Sequence, residues 1–381
     1  MIDKFRVPSD EIDRRITQIR QEMQHNGIGG LFIAQRVDLF YFSGTAQTGF
    51  LYIPAEGQPV LFIKRYYPRA REESCIKNIV EIKSIKEIPG LIVDFCSNLP
   101  KTLGFEFDVL PVRDFNFYKK LFDVEKSVDG SPFIHKCRMI KSAWEIKQIE
   151  RTAELAKQTF EHIKSAIRPG QTKMELSGMA ETFARKHGHG ARLRVRDHQA
   201  AEYSQQIFSG NEIFAAFPSD GENKLLVPDE PIMINFKSVF NGYHMDETRL
   251  FAIKSMPQPA MDGCRTAIEL QHAVSEIVKP GKNLDEFFPR SVETANSLGY
   301  TESCPDPSAH QTSFTGHGIG LELIEPPLIT SEAVLEPGMT LAMETKMVLK
   351  DKLSSGIKSV FILTETGARL ISKVPLEIFI C

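Results

Sequence analysis

Residues 231–250, PIMINFKSVFNGYHMDETRL, decide the fold, because they read as a β-hairpin that carries polar groups on one face. An apolar strand runs over 232–240, Asn241-Gly242 is a strong two-residue turn signal, and a second strand returns over 243–251. A type I′ turn at Asn241-Gly242 sets Phe240 opposite Tyr243, Lys237 opposite Asp246 and Asn235 opposite Thr248. Strand alternation then gathers Asn235, Lys237, Asp246 and Thr248 on one face. That face is either a chemical site or a solvated hairpin surface, and the stretch alone leaves both readings open.

Working outward, a second hairpin is expected from strands at 339–349 and 356–364 around the polar turn KDKLSS. Before the first hairpin, apolar residues at helical spacing from Arg138 onward predict a long helix ended by Pro169-Gly170, and another helix covers 173–186. Two helical stretches fall within 261–298. Each half of this region thus supplies a helix pair and a hairpin, which suggests an internal duplication without sequence repetition. Toward the N-terminus, Ser9 or Asp10 caps a helix with Ile12, Ile16, Ile19 and Met23 on one stripe. Strand-like runs follow at 30–34, 39–42, 50–53, 59–64, 79–82 and 102–107, alternating with weaker helical stretches, as in a mixed α/β domain. SVDGSPF, 127–133, has linker composition. The expected organisation is an α/β domain over 1–132 and an α+β domain over 133–381, in keeping with a 381-residue chain that exceeds one ordinary core.

Apolar content of 42% and charged content of 25% are those of a globular protein. A net charge of -3 and a pI near 6.4 argue against nucleic-acid or membrane-surface partners that need a basic field. Six cysteines, Cys75, Cys96, Cys137, Cys264, Cys304 and Cys381, form no CxxC pair and fit buried thiols in a reducing compartment better than a disulfide framework. The N-terminus is charged from the start, and no apolar run approaches the roughly 18 residues of a membrane span. A cytoplasmic location is the expectation.

Between the hairpins lies FTGHGIGLELIEPP, with His317 flanked by glycines. Gly316, Gly318 and Gly320 mimic a phosphate loop only superficially, since no strand-to-helix junction surrounds them. Taken with IKSAWEIKQI, SGNEIFAAFP, GYHMDETR, GMTLAMET, GIKSVFILTETG and the N-terminal DLFYFSG and FLYIPAEGQPVLFI, the segment order resembles the pita-bread family of creatinase, prolidase, aminopeptidase P and methionine aminopeptidase.

That resemblance implies a site for two divalent metals held by Asp, Asp, His, Glu and Glu, with a nearby proton-handling His. Residue by residue, the ligand positions fall on Asn235, Asp246, His317, Glu344 and Lys358, so two of the five are not metal ligands. The proton-handling position falls on Phe217, the second His of the HGIGLE motif on Ile324, and a glycine position on Lys237. A dinuclear centre uses about four carboxylates to balance two dications. Here Asp246, Glu344, Lys237 and Lys358 already sum to zero without metal. The expectation is therefore that Lys358, aided by Lys237, fills the metal space and pairs with Asp246 and Glu344. The competing expectation turns both lysines to solvent and leaves one divalent ion, manganese, zinc or cobalt, on Asp246, His317 and Glu344.

Creatinase, in the same family, uses no metal and relies on a His as general acid/base, but that position matches Phe217, whose ring transfers no proton. His317 and Glu344 remain as candidate proton carriers, with His244 ranked last because strand parity turns it away from Asp246. Arg192, Arg194 and Arg196 alternate along one run and either clamp an anionic ligand or protect an exposed edge strand. His187 and His189 in HGHG read as a helix cap before a metal pair. Phe208, Phe214 and Phe217 line an apolar pocket or belong to the core. Two functions follow from this reading. The first is a homodimeric binder of a small peptide-, amino-acid- or guanidino-like ligand, with no cofactor and no dinuclear metallopeptidase turnover. The second is a C–N hydrolase, either a single-metal Xaa-Pro peptidase or a metal-independent enzyme.

Overall fold

The computed structural model describes residues 5–196, 205–209, 224–283, 316–328, 333–349 and 353–381, with positions 289, 293, 294 and 297. The chain divides into two compact units, Met1–Arg138 and Met139–Cys381.

The first unit runs α1 (Ser9–His25), β1 (Gly30–Ile33), α2 (Arg36–Ser43), β2 (Gly49–Pro54), β3 (Val60–Ile63), α3 (Tyr67–Glu73), β4 (Asn78–Glu81), α4 (Ile88–Cys96), β5 (Thr102–Phe105), α5 (Val112–Phe122), β6 (Lys126–Asp129) and α6 (Ser131–Met139). Its strands form one mixed sheet in the order β4-β3-β2-β1-β5-β6. The stripe Ile12, Ile16, Ile19 and Met23 is buried, as the helical spacing predicts.

Two expectations fail in this unit. Residues 39–42 lie in α2 and not in a strand: the Gln35 side chain accepts the Asp38 N–H at 2.9 Å, and Gly44, at φ 77°, closes the helix by donating to Phe40 O. A four-residue apolar run cannot distinguish the two states, and here the flanking caps decide. SVDGSPF is no linker. Its first half belongs to β6, parallel to β5, and Asp129 accepts the Ser131 N–H at 2.9 Å to open α6. The composition reflects a half-exposed sheet edge, which tolerates polar residues.

The second unit runs α7 (Ala143–Ala166), α8 (Lys173–Lys186), β7 (Gln205–Ser209), β8 (Pro231–Phe240), β9 (Tyr243–Ala252), α9 (Gln258–Ile277), β10 (Gly316–Gly318), β11 (Glu325–Leu328), β12 (Thr340–Leu349), β13 (Leu353–Thr364), β14 (Gly367–Leu370) and β15 (Ile378–Ile380). The helix expected from Arg138 starts at Ala143. Ser142 and Glu145 exchange a reciprocal capping box, both bonds at 3.1 Å, whereas Arg138 belongs to α6. Of the two helical stretches expected within 261–298, α9 is the first; most of the second lies outside the described residues.

Asn241 at φ 52° and Gly242 at φ 89° are both left-handed, as a type I′ turn needs, and β8 and β9 pair in the predicted register. In the second hairpin the strands reach further into KDKLSS than expected, with Leu349 opposite Leu353. The two hairpins meet where β9 pairs antiparallel with β13. The outward order β9-β8-β7 on one side is matched by β13-β12-β10 on the other, an arrangement in keeping with duplication. Ile232, Ile234, Phe236 and Phe251 pack with Ala156, Phe160 and Leu176 from α7 and α8. That packing commits Asn235, Lys237, Asp246 and Thr248 to the opposite face.

Candidate functional site

The polar face of the first hairpin is buried. Asn235 is 6% exposed, Lys237 5%, Asp246 1% and Thr248 2%, which removes the solvated-surface reading. Strand register extends this face into one polar row across five strands: Glu344 lies opposite Lys358, Lys358 opposite Thr248, Thr248 opposite Asn235, and Asn235 opposite Gln206.

At the centre, Lys358 Nζ lies 3.0 Å from Asp246 Oδ2 and 3.2 Å from Glu344 Oε2. The Lys358 side chain is only 15% exposed, so it does not point to solvent. Lys237 is buried too, and its ammonium donates to Gln206 Oε1 at 3.1 Å. Asn235 Nδ2 donates to Asp246 Oδ1 at 2.8 Å and to Thr248 Oγ1 at 3.0 Å. Its own Oδ1 is buried without a hydrogen-bond partner among the described residues. His317 turns Nε2 toward Asp246 Oδ2 at 3.6 Å and Nδ1 toward Gly318 O at 3.1 Å.

Burial alone would raise the Asp246 carboxyl. The Lys358 ammonium, a hydrogen bond from His317 and the Lys237 charge outweigh that and hold it well below the usual carboxylate range. Burial alone would likewise lower Lys358, but Asp246 and Glu344 hold it well above the usual lysine value. The group at the middle of the site is therefore a firmly charged ammonium between two carboxylates.

Parts of this frame lie outside the residues singled out by sequence. From α9, Gln271 Nε2 donates to Met343 O at 2.9 Å and Gln271 Oε1 accepts from Ser359 Oγ at 3.1 Å, so one amide holds the strands beside Glu344 and Lys358. Arg249, fully buried, donates to the carbonyls of Thr248 (2.8 Å), Lys358 (2.7 Å), Val374 (2.8 Å) and Pro375 (3.0 Å). At the hairpin tip, Tyr243 Oη donates to Glu145 at 3.0 Å and Asn241 to Gln148 at 3.2 Å. The motif IKSAWEIKQI meets the glycine-rich segment through Lys141, whose Nζ lies 2.9 Å from Glu325 Oε1 with both side chains buried. A Cβ on Gly320 would stand 2.3 Å from that same Glu325 oxygen, which explains a glycine there without any phosphate.

His244 is buried away from Asp246. Its Nε2 accepts the Arg194 N–H at 3.1 Å, Nδ1 faces Gly320 O at 3.0 Å, and burial pushes the ring down to about 4, keeping it neutral. The arginine run is not a strand. Leu323 N donates to Arg194 O at 2.8 Å, Arg196 reaches Glu322 at 3.7 Å, and Arg192 is exposed, so the run forms no edge strand. His187 caps α8, while His189 is buried and accepts the Val239 N–H at 3.1 Å; they do not pair on a metal. Phe208 packs against the Met233, Leu250 and Ile357 cluster. Phe214, Phe217 and Cys304 lie outside the described residues, and among the described cysteines Cys75 is exposed, not buried. Among the described residues, no helix is long and apolar enough to cross a membrane.

The chain is similar to known peptidases over nearly its whole length. The Creatinase/Prolidase N-terminal domain model matches residues 15–140, and the Metallopeptidase family M24 model matches residues 147–370. The Xaa-Pro dipeptidase of Pyrococcus furiosus is 26% identical over 369 residues, 96% of this chain and 99% of that protein. An uncharacterized peptidase of Bacillus subtilis is 24% identical over 96% of this chain and 99% of its own length. The solved structure of an Xaa-Pro dipeptidase from Bacillus anthracis superposes with a TM-score of 0.82 at 26% identity, covering 97% of this chain and all of that one. With the pita-bread hairpins in place and the M24 model spanning more than half its length, the chain belongs to metallopeptidase family M24 and carries the creatinase/prolidase N-terminal domain.

Proposed function

We propose that this chain binds a small peptide-, amino-acid- or guanidino-like ligand at the polar row and does not act as a dinuclear metallopeptidase. The observation that carries this reading is the Lys358 ammonium, held between Asp246 and Glu344 at 3.0 and 3.2 Å. The donor set does not fit two divalent ions. Asn235 is occupied as a donor to Asp246, and an ammonium about 4 Å from a dication is repelled by on the order of several kcal/mol even at an effective dielectric near 20. Among the described residues, no group of three His, Cys, Asp or Glu side chains is arranged to hold a metal.

Metal analysis of protein purified without added metal tests the reading directly. Substoichiometric metal is expected, and two equivalents of zinc, manganese or cobalt per chain would overturn it. Xaa-Pro dipeptides, with and without manganese, should show no turnover, while a fitting ligand raises the melting temperature.

A second reading rests on His317, whose Nε2 lies 3.6 Å from Asp246 and would work with it as an acid/base couple in C–N hydrolysis. Cleavage abolished by His317→Ala would decide for it: manganese dependence would mark a single-metal peptidase, and its absence a metal-independent enzyme. By resemblance to the prolidase branch, we also propose a homodimer, which sedimentation would test.

A further inference from the structure

Helix α8 has two patterned faces. Lys173, Leu176, Ala180 and Ala184 form its buried face. Glu175, Gly178, Met179, Thr182, Phe183 and Lys186 recur at helical spacing on another face and line a groove of about 860 Å³ shared with His162 of α7. Met179 is 39% exposed there. Phe183 is held in place, its ring stacked on His162 at 4.3 Å between centroids and on His187 at 4.1 Å.

Gly178 lies inside α8, where glycine is a poorer helix former than alanine, and a Cβ built on it would meet nothing within 4 Å. Packing within this chain therefore gives no reason for a glycine, whereas a neighbour approaching the helix backbone would. The charges at the two ends of the stripe are opposite. Glu175 accepts the Thr172 N–H on Oε2 at 2.7 Å, which leaves Oε1 without a hydrogen bond among the described residues. Lys186 is exposed and makes no ion pair among the described residues.

This stripe is its own complement. Against a second α8 running the opposite way, centred between Ala180 and Glu181, Glu175 meets Lys186, Gly178 meets Phe183 and Met179 meets Thr182. A twofold axis repeats each pairing. Reciprocal charge order of this kind selects a second copy of the chain as the occupant rather than an unrelated helix. We propose that α8 lies at the twofold axis of a homodimer, packed antiparallel on the α8 of its partner, with the Phe183 ring over Gly178 and Glu175 paired with Lys186 in both directions. The inference rests on the homodimer proposed above and gives it a surface. Exposed ion pairs at the two ends set register more than affinity, while the apolar centre supplies contact. Because His162 and His187 already fix the Phe183 ring, little of its freedom is lost on docking.

Sedimentation of the full chain tests this. Wild type should be a dimer. Lys186→Glu and Glu175→Lys, each bringing like charges together twice, should each raise the dimer dissociation constant about tenfold. An equimolar mixture of the two variants should recover wild-type association, because in the heterodimer both contacts again join opposite charges. Variants that dimerise as wild type does would overturn this surface and leave the homodimer standing; a monomeric wild type would overturn both. Variants that dissociate singly but do not reassociate on mixing would overturn the antiparallel register. Since Glu175 also caps α8, Gly178→Leu covers the case in which Glu175→Lys fails to fold. The open space at this position lets the monomer keep its fold, whereas the dimer should weaken about tenfold. Unchanged association of Gly178→Leu would overturn the proposal.

Discussion

Lys358→Met removes the ammonium between Asp246 and Glu344 while keeping its stem, and so leaves two carboxylates side by side in a largely buried row. Removing one partner of a buried pair costs about 3 kcal/mol or more, read as a lower urea midpoint. The pH response of the pair has a definite sign. Asp246 is depressed, so its stabilisation is present above the ordinary 3.8 and is lost as pH falls through the folded value. Lys358 is raised, so its stabilisation is present below the ordinary 10.5 and is lost as pH rises through the folded value. The stability contributed by this pair should therefore form a plateau between those two ordinary values, and Lys358→Met should abolish the plateau's edges in melts across pH. The residues of the row were partly legible in sequence: Asn235, Asp246, His317, Glu344 and Lys358 stand at motif positions. Gln206, Gln271 and Arg249 were not, because their roles come from register and from backbone carbonyls distant in sequence. Strand parity alone places His244 on the face away from Asp246, where its ring meets Arg194 and Gly320.

Elements that carry their own punctuation were the readable ones. Asn241-Gly242 sets the hairpin register, and the apolar stripe of α1 sets its buried face. Short segments whose state depends on neighbours were not readable, as with residues 39–42, which their caps turn into helix, and β6, whose polar composition fits a sheet edge. At this scale Gln271→Leu should lower stability by about 1–3 kcal/mol in urea melts, since it strands Met343 O and the Ser359 hydroxyl. The same variant should loosen the strands beside Lys358, seen as faster amide exchange in β12 and β13 with α7 and α8 unaffected. Gly320→Ala should displace Glu325 from Lys141, because the added methyl would meet a carboxylate oxygen at 2.3 Å. A drop in melting temperature matched by Lys141→Ala, with no further loss in the double variant, would identify that pair as the shared cause.

At the scale of the whole molecule, each unit has its own core. Phe32, Phe62, Phe105 and Phe122 build one, and Phe160, Phe236 and Phe251 anchor another. Residues 1–138 expressed alone should accordingly unfold in a cooperative transition of their own, measured by circular dichroism. Arg249 adds a link that no local view of the polar row would suggest. One guanidinium serves carbonyls at Thr248 and Lys358 and also at Val374 and Pro375, 125 and 126 residues further along the chain than Arg249 itself. Trimming the tail ahead of Val374 would strip that guanidinium of two acceptors while leaving every side chain of the row untouched. Cutting the chain there should for that reason lower the melting temperature and speed amide exchange in β9 and β13, the two strands whose carbonyls the same guanidinium holds together.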